Sequence, residues 1–174
     1  MTVRALLLTG TVGAGKSTTA DRVADRLQVA GVPHAVIDLD EIRRSWPAPP
    51  GDRFGFDVHL LNLAPLADNY VAAGAGRLVL AGVCETRRDR ARYEAVLGVP
   101  LVVCRLRVES GLLQARLRQR HIDDESGLDW HLARAGELDG ILDASGVADL
   151  DIAVDGLTRD EVALAVLDAI GWTD

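Results

Sequence analysis

Gly10-Thr11-Val12-Gly13-Ala14-Gly15-Lys16-Ser17-Thr18 is the stretch from which the fold can be read. It fits a glycine, four free positions, then Gly-Lys-Ser/Thr, the pattern of a phosphate-binding loop. An apolar, strand-like run at residues 3–9 (VRALLLT) precedes it, and an amphipathic helical pattern at residues 18–30 (TTADRVADRLQVA) follows. Strand, glycine loop and helix in that order are the context the motif requires. Glycines let successive backbone N–H groups turn inward onto phosphate oxygens, and the helix N-terminus adds partial positive charge. All nine residues are therefore expected to hold a nucleotide. Lys16 is placed to reach its terminal phosphates, and the Ser17 hydroxyl to ligate magnesium. Lys16 is also the only lysine of the chain, arginine filling every other such position. A compact ammonium suits the space between phosphates better than a planar guanidinium.

Working outward, residues 34–39 (HAVIDL), 77–83 (RLVLAGV), 100–107 (PLVVCRLR) and 150–154 read as four further strands. They are continuous apolar runs, as in a parallel sheet covered on both faces. Helical patterns fall at 57–73, 85–97, 110–120, 130–144 and 158–170, with a helical start at 41–44 and a kink expected at Pro65. Residues 46–56 (WPAPPGDRFGF) must be a loop, and 121–129 (HIDDESGLD) is polar and expected to be mobile. The alternation predicts an α/β fold, a doubly wound five-stranded parallel sheet. Right-handed crossovers then bring the phosphate loop, Asp38, Asp40 and the residues after Val83 to one edge. Residues 1–174 read as one domain, with a lid at about 116–134.

With 174 residues and 48% hydrophobic content, the chain can build a core. A net charge of -7 argues against nucleic acid. The longest apolar stretch, residues 95–104, is too short for a membrane span and is broken by Gly98 and Pro100. The N-terminal apolar run feeds straight into the phosphate loop, unlike a signal peptide, so a cytoplasmic location is expected. Cys84 and Cys104 lie in separate apolar runs without metal-ligand spacing and read as buried thiols. Arginine-rich, lysine-poor usage with much Ala, Gly and Val fits a GC-rich bacterial genome.

The chain resembles small phosphate-loop kinases of the nucleoside monophosphate kinase-like group. Within it the pattern is most similar to adenylylsulfate kinase, and more loosely to shikimate, gluconate and chloramphenicol phosphotransferases. The matching pieces are the phosphate loop, Asp38-Leu39-Asp40-Glu41-Ile42-Arg43, residues 86–92 (TRRDRAR) and the arginines at 116–120. The resemblance implies an ATP- and magnesium-dependent phosphotransferase acting on a hydroxyl of a small acceptor, as monomer or homodimer. A non-catalytic ATP-binding switch and an acceptor-independent ATPase are the alternatives. Adenylylsulfate kinases usually have Asp-Gly-Asp where this chain has Asp38-Leu39-Asp40, and Ser-Pro where it has Cys84-Glu85-Thr86. Their residues that hold the sulfated nucleotide have partial counterparts in Arg53, Phe54, Phe56 and Asn62. Sugar, nucleoside, antibiotic and sulfonucleotide acceptors all stay open. The Asn-Lys-x-Asp motif of GTPases is absent, the one lysine being Lys16.

Asp38 and Asp40 are the candidates for base and metal work. One carboxylate can take the acceptor's proton while the other supports magnesium; which does which stays open, with Asp38 assigned to the metal beside Ser17. Capping of the next helix is the plainer role for either. Arg43 is placed to face the acceptor, as is Arg87, the nearest to the strand end among Arg87, Arg88, Arg90 and Arg92. Arg116 and Arg120 are four apart on one helix face and are assigned to the phosphates, with Arg134 as a further candidate and Arg118 in solvent. His59, His121 and His131 lack triad or metal spacing and are expected to pack or face solvent.

Overall fold

The computed structural model describes residues 2–52 and 54–172. Its elements are β1 (Arg4–Thr9), α1 (Lys16–Val29), β2 (His34–Asp38), α2 (Phe56–Ala72), β3 (Arg77–Ala81), α3 (Arg87–Leu97), β4 (Leu101–Arg107), α4 (Ser110–Arg120), α5 (Glu125–Ser145), β5 (Leu150–Ala153) and α6 (Arg159–Ile170). The strands form one sheet in the order β2-β3-β1-β4-β5, and every pairing is parallel. Side chains alternate across it. Ala5, Leu7, Leu78, Leu80, Leu101 and Val103 enter the core beneath α2, α3 and α5. Leu6, Leu8, Val79, Ala81, Cys104 and Leu106 enter the core beneath α1 and α6. Burial on both faces is why these strands are apolar throughout rather than at every second residue.

Arg105 on β4 breaks that pattern. It is 3% exposed and donates to Asp143 Oδ1 at 2.8 Å and Asp139 Oδ1 at 2.7 Å, both on α5. A buried guanidinium must be paired, so the ion pairs fasten α5 to the sheet. A second, smaller core joins α4 to α5 through Leu113, Leu117 and Ala135, with Val12 of the phosphate loop against it.

Several boundaries differ from the sequence expectation. The first helix begins at Lys16, two residues early, because Gly15 takes a left-handed φ of 94° and turns the loop directly into it. The helical start expected at 41–44 is a run of turns, begun by the Asp40 N–H donating to Asp38 Oδ1 at 2.9 Å. The stretch at 121–129 is helical from Glu125, capped by Asp124, whose Oδ1 accepts from the Gly127 N–H at 2.9 Å. Asp, Glu and Ser favour a helix's first turn, yet give no apolar period when that turn faces solvent. Pro65 sits inside α2, which continues to Ala72. No helix among the described residues is long and apolar enough to cross a membrane.

Candidate active site

The phosphate loop passes closely over β4. Gly10 has φ 144°, and a Cβ there would stand 2.8 Å from the Leu106 carbonyl oxygen, so only glycine fits. Gly13, at φ 83°, presses on Leu113 and Leu117 of α4. Thr11 turns its side chain away from the cleft, donating to the Ala135 carbonyl at 2.8 Å in a buried bond that ties the loop to α5. Lys16 Nζ donates to the carbonyls of Gly10 at 3.1 Å and Thr11 at 3.0 Å. Burial pushes the Lys16 ammonium down to about 8, although Asp40 and Asp38 oppose the fall. It therefore stays mostly charged at neutral pH.

The end of β2 separates the two aspartates. Asp38 Oδ2 accepts from the Ser17 hydroxyl at 2.6 Å. Asp40 pairs instead with Arg43, which also donates to the Phe54 carbonyl at 2.7 Å. Among the described residues no cluster of three His, Cys, Asp or Glu could hold a metal alone. Magnesium seldom needs one, because it takes one or two protein oxygens and completes its shell with water and phosphate. Ser17 and Asp38, adjacent at the cleft edge, fit that demand.

Two cavities open at this edge. A cleft of about 970 Å³ runs along residues 12–19, past Asp38, Asp40 and Arg43, to Arg116, Arg120 and Arg134. Val154, Leu157, Arg159 and Val162 line it as well. A side pocket of about 270 Å³ is lined by Leu39, Phe54, Phe56, His59, Val83 and Tyr93, with Asp40, Arg43, Glu85 and Asp89. Asp40, Arg43, Phe54, Val83 and Glu85 line both, so the cavities meet there.

Of the residues singled out from the sequence, Val12 to Thr18, Asp38, Asp40, Arg43, Arg116, Arg120 and Arg134 line the cleft. Gly10 and Thr11 shape the loop from beneath. Arg118 points elsewhere, bonded to Gln114. Arg134 pairs with Glu85 and Glu137 and lies 4.7 Å over the Phe54 ring. Arg87 lines neither cavity. It is exposed on the first turn of α3 beside Gly146, since the Thr86–Asp89 capping box starts the helix there. Arg90 binds Asp149, and Arg92 binds Asp57. Of the counterparts for a sulfated nucleotide, Phe54 and Phe56 line the pocket. Asn62 instead donates to the Ile42 carbonyl at 2.6 Å, and Arg53 lies outside the described residues. Trp46 is exposed away from both cavities. Both thiols are buried, and burial pushes each up to about 12.

His59 is the residue the sequence reading undervalued. It is 2% exposed and walls the side pocket, with its ring stacked on Tyr93 at 5.4 Å and edge-on to Phe56 at 4.8 Å. Burial, with Arg43 nearby, pushes it down to about 4, so the imidazole is neutral. The signal was present: His59 shares the apolar face of α2 with Phe56, Leu60, Leu63 and Ala67. Spacing tests for triads and metals do not examine that face.

A phosphate loop between strand and helix, with a lysine at its tip and carboxylates at the next strand end, defines a P-loop kinase. The family model for adenylylsulphate kinase matches residues 2–147, and the chain belongs to that family. No curated protein matches the chain. Among solved structures, Mycobacterium tuberculosis APS kinase in complex with AMPPNP and APS is 23% identical, with 98% of each chain covered and a TM-score of 0.62. The tunicamycin resistance protein of Deinococcus radiodurans is 18% identical over 97% of this chain and 96% of that one, with a TM-score of 0.68. Shikimate kinase from Acinetobacter baumannii, in complex with shikimate, is 20% identical over 97% and 93%, with a TM-score of 0.61. At these identities the likeness is one of fold.

Proposed function

We propose that the protein moves the γ-phosphoryl group of ATP to a hydroxyl of a small acceptor seated in the side pocket. The observation that carries this is the meeting of the two cavities at Asp40. A carboxylate at that junction borders both the phosphates and the acceptor, so it can take the hydroxyl proton as the oxygen attacks. Its partner Arg43 holds it in place. Asp38 and Ser17 are the magnesium ligands, and the ion would draw charge off the phosphate oxygens.

Lys16 and the loop amides hold the transferring phosphoryl group, and Arg116 and Arg120 approach from α4 to meet its equatorial oxygens. Residues 116–134 act as the lid that keeps water out during transfer. Val154, Leu157 and Val162, with the Arg159 guanidinium among them, suit the flat base. A nucleotide switch or an acceptor-independent ATPase has no use for a second, aromatic-walled pocket opening at Asp40. The departures at Leu39 and Cys84-Glu85-Thr86, with Asn62 turned to the Ile42 carbonyl, favour an acceptor other than adenylylsulfate.

A screen of hydroxyl metabolites for acceptor-dependent ADP release tests the proposal. At least one compound should raise ADP release, and Asp40→Asn should abolish the increase. Equal ADP release with and without every compound, while ATP still protects Lys16 from an amine reagent, would leave only the switch and ATPase readings.

A further inference from the structure

Backbone anchors set a carboxylate and a guanidinium face to face where the two cavities meet. Glu85 follows β3, and the chain on either side of it is pinned. The Cys84 N–H donates to Thr9 Oγ1 at 3.1 Å in a buried bond, and Thr86 caps α3. Arg134 stands one residue before Ala135, whose carbonyl accepts from the Thr11 hydroxyl. Arg105, paired with Asp139 and Asp143, fastens the next turns of α5 to the sheet. Both residues are therefore rooted on anchored backbone beside the phosphate loop, and it is their side chains that are left to move.

Without ligand those side chains meet. The Arg134 guanidinium pairs with Glu85 through Nη2 and with Glu137 Oε2 at 2.8 Å through Nη1, and it lies 4.7 Å over the Phe54 ring. Phe54 and Glu85 line both cavities, so the guanidinium is held at their junction. Arg116 and Arg120, by contrast, line the cleft with no ion pair among the described residues. The Arg134 side chain is 11% exposed and that of Glu85 30%, so water and salt screen this pair less than a surface one. Turning Arg134 to the phosphates would strand Glu85, half-buried, without its cation, which is costly unless another donor meets it. Hydroxyl groups are such donors. Whatever satisfies Glu85 from the side pocket therefore favours the second position of Arg134.

Taking the cleft as the phosphate site and the side pocket as the acceptor site, as proposed above, we propose that Glu85 is a positioning residue that keeps Arg134 off the transferring phosphoryl group until an acceptor hydroxyl takes over the carboxylate. Once freed, Arg134 adds positive charge at the phosphoryl oxygens beside Lys16, Arg116 and Arg120. While held, it withholds that charge from the competing reaction with water. There, water attacks the γ-phosphorus, the bond to the β,γ-bridging oxygen breaks, and ADP, phosphate and a proton leave. The Glu85 hold thus slows hydrolysis while the pocket is empty. Couplings between sites of this kind are typically about 5–150-fold.

The first measurements need no acceptor. Hydrolysis of ATP with magnesium is read as phosphate release. Binding of ADP, magnesium and aluminium fluoride, a mimic of the transferring phosphoryl group, is read by titration calorimetry. Glu85→Gln keeps the shape and removes the charge. It should raise the kcat of hydrolysis about fivefold or more with little change in KM for ATP, and tighten the aluminium fluoride complex by a similar factor. Adding Arg134→Ala to Glu85→Gln should remove both gains, and Glu85→Asp, which keeps the charge, should give back most of the suppression. If Glu85 only braced α5, its loss would slow hydrolysis and lower the melting temperature. Should Glu85→Gln fail to fold, Glu137→Gln carries the test; that side chain is 61% exposed, and its removal should raise hydrolysis about twofold or more. Hydrolysis at or below the wild-type rate in the variant used, or a gain that survives the loss of Arg134, overturns the proposal. In the metabolite screen, a compound that stimulates the wild type should stimulate Glu85→Gln by a smaller factor, and equal factors also overturn it. If no metabolite stimulates either protein while the Arg134-dependent gain is present, the phosphotransfer reading falls and the hold by Glu85 stands.

Discussion

Lys16 offers the sharpest quantitative test, because burial makes its ammonium costly. Burial lowers it from 10.5 to about 8. That difference corresponds to roughly 3 kcal/mol against the protonated form in the folded state, as an upper figure. Below pH 8 the lysine is protonated in both folded and unfolded chains, so the folded protein bears the whole cost. Between pH 8 and pH 10.5 the folded protein sheds the proton while the unfolded chain keeps it, and the cost fades. Stability contributed by this residue therefore rises with pH across that window. Lys16→Met removes the titration and keeps most of the volume. Urea unfolding of the two proteins, from about pH 7 up to pH 10.5, should show the wild type gaining up to about 3 kcal/mol on the variant. Tyr93, Cys84 and Cys104, all raised by burial, titrate in both proteins and cancel in the difference. A difference that stays flat with pH, or that moves against the wild type, refutes the reasoning.

Three other outcomes are expected. Asp40→Asn should lose about 10²–10⁴-fold in acceptor-dependent transfer while ATP still protects Lys16 from an amine reagent. Asp38→Asn should instead weaken the magnesium dependence of ATP binding, measured by titration calorimetry; matching phenotypes for the two variants would undo the division of roles. Arg116→Ala and Arg120→Ala should each slow transfer on the order of 10³-fold, with Arg118→Ala under about tenfold in steady-state assays. Asparagine at both Asp139 and Asp143 leaves Arg105 buried without a counter-charge and should destabilise the fold by about 3 kcal/mol in chemical denaturation; a loss under about 1 kcal/mol would mean that solvent already satisfies the guanidinium.

The phosphate loop was decided by its own residues. Its chemistry lies in consecutive backbone amides, one lysine and one hydroxyl between a strand and a helix, all within nine positions. The parallel sheet was legible for a similar reason, since burial on two faces writes itself into each strand as an unbroken apolar run. Helical spacing also sorted Arg116 and Arg120 from Arg118, because three and a half residues per turn is a local rule.

The remainder required the chain to be folded. Which aspartate meets Ser17 and which meets Arg43 depended on turns after β2 that the sequence suggested were a helix. Arg105 found Asp139 and Asp143, and Arg134 found Glu85, across long separations in sequence. The pocket at His59 exists only because α2 and α3 lie side by side on one face of the sheet, bringing Phe56 and Tyr93 together against the ring. Apolar runs of similar length are interchangeable in strand order, so nothing in them states which helices become neighbours. Tertiary packing made that choice, and with it the choice of what a histidine on an apolar face would be asked to touch.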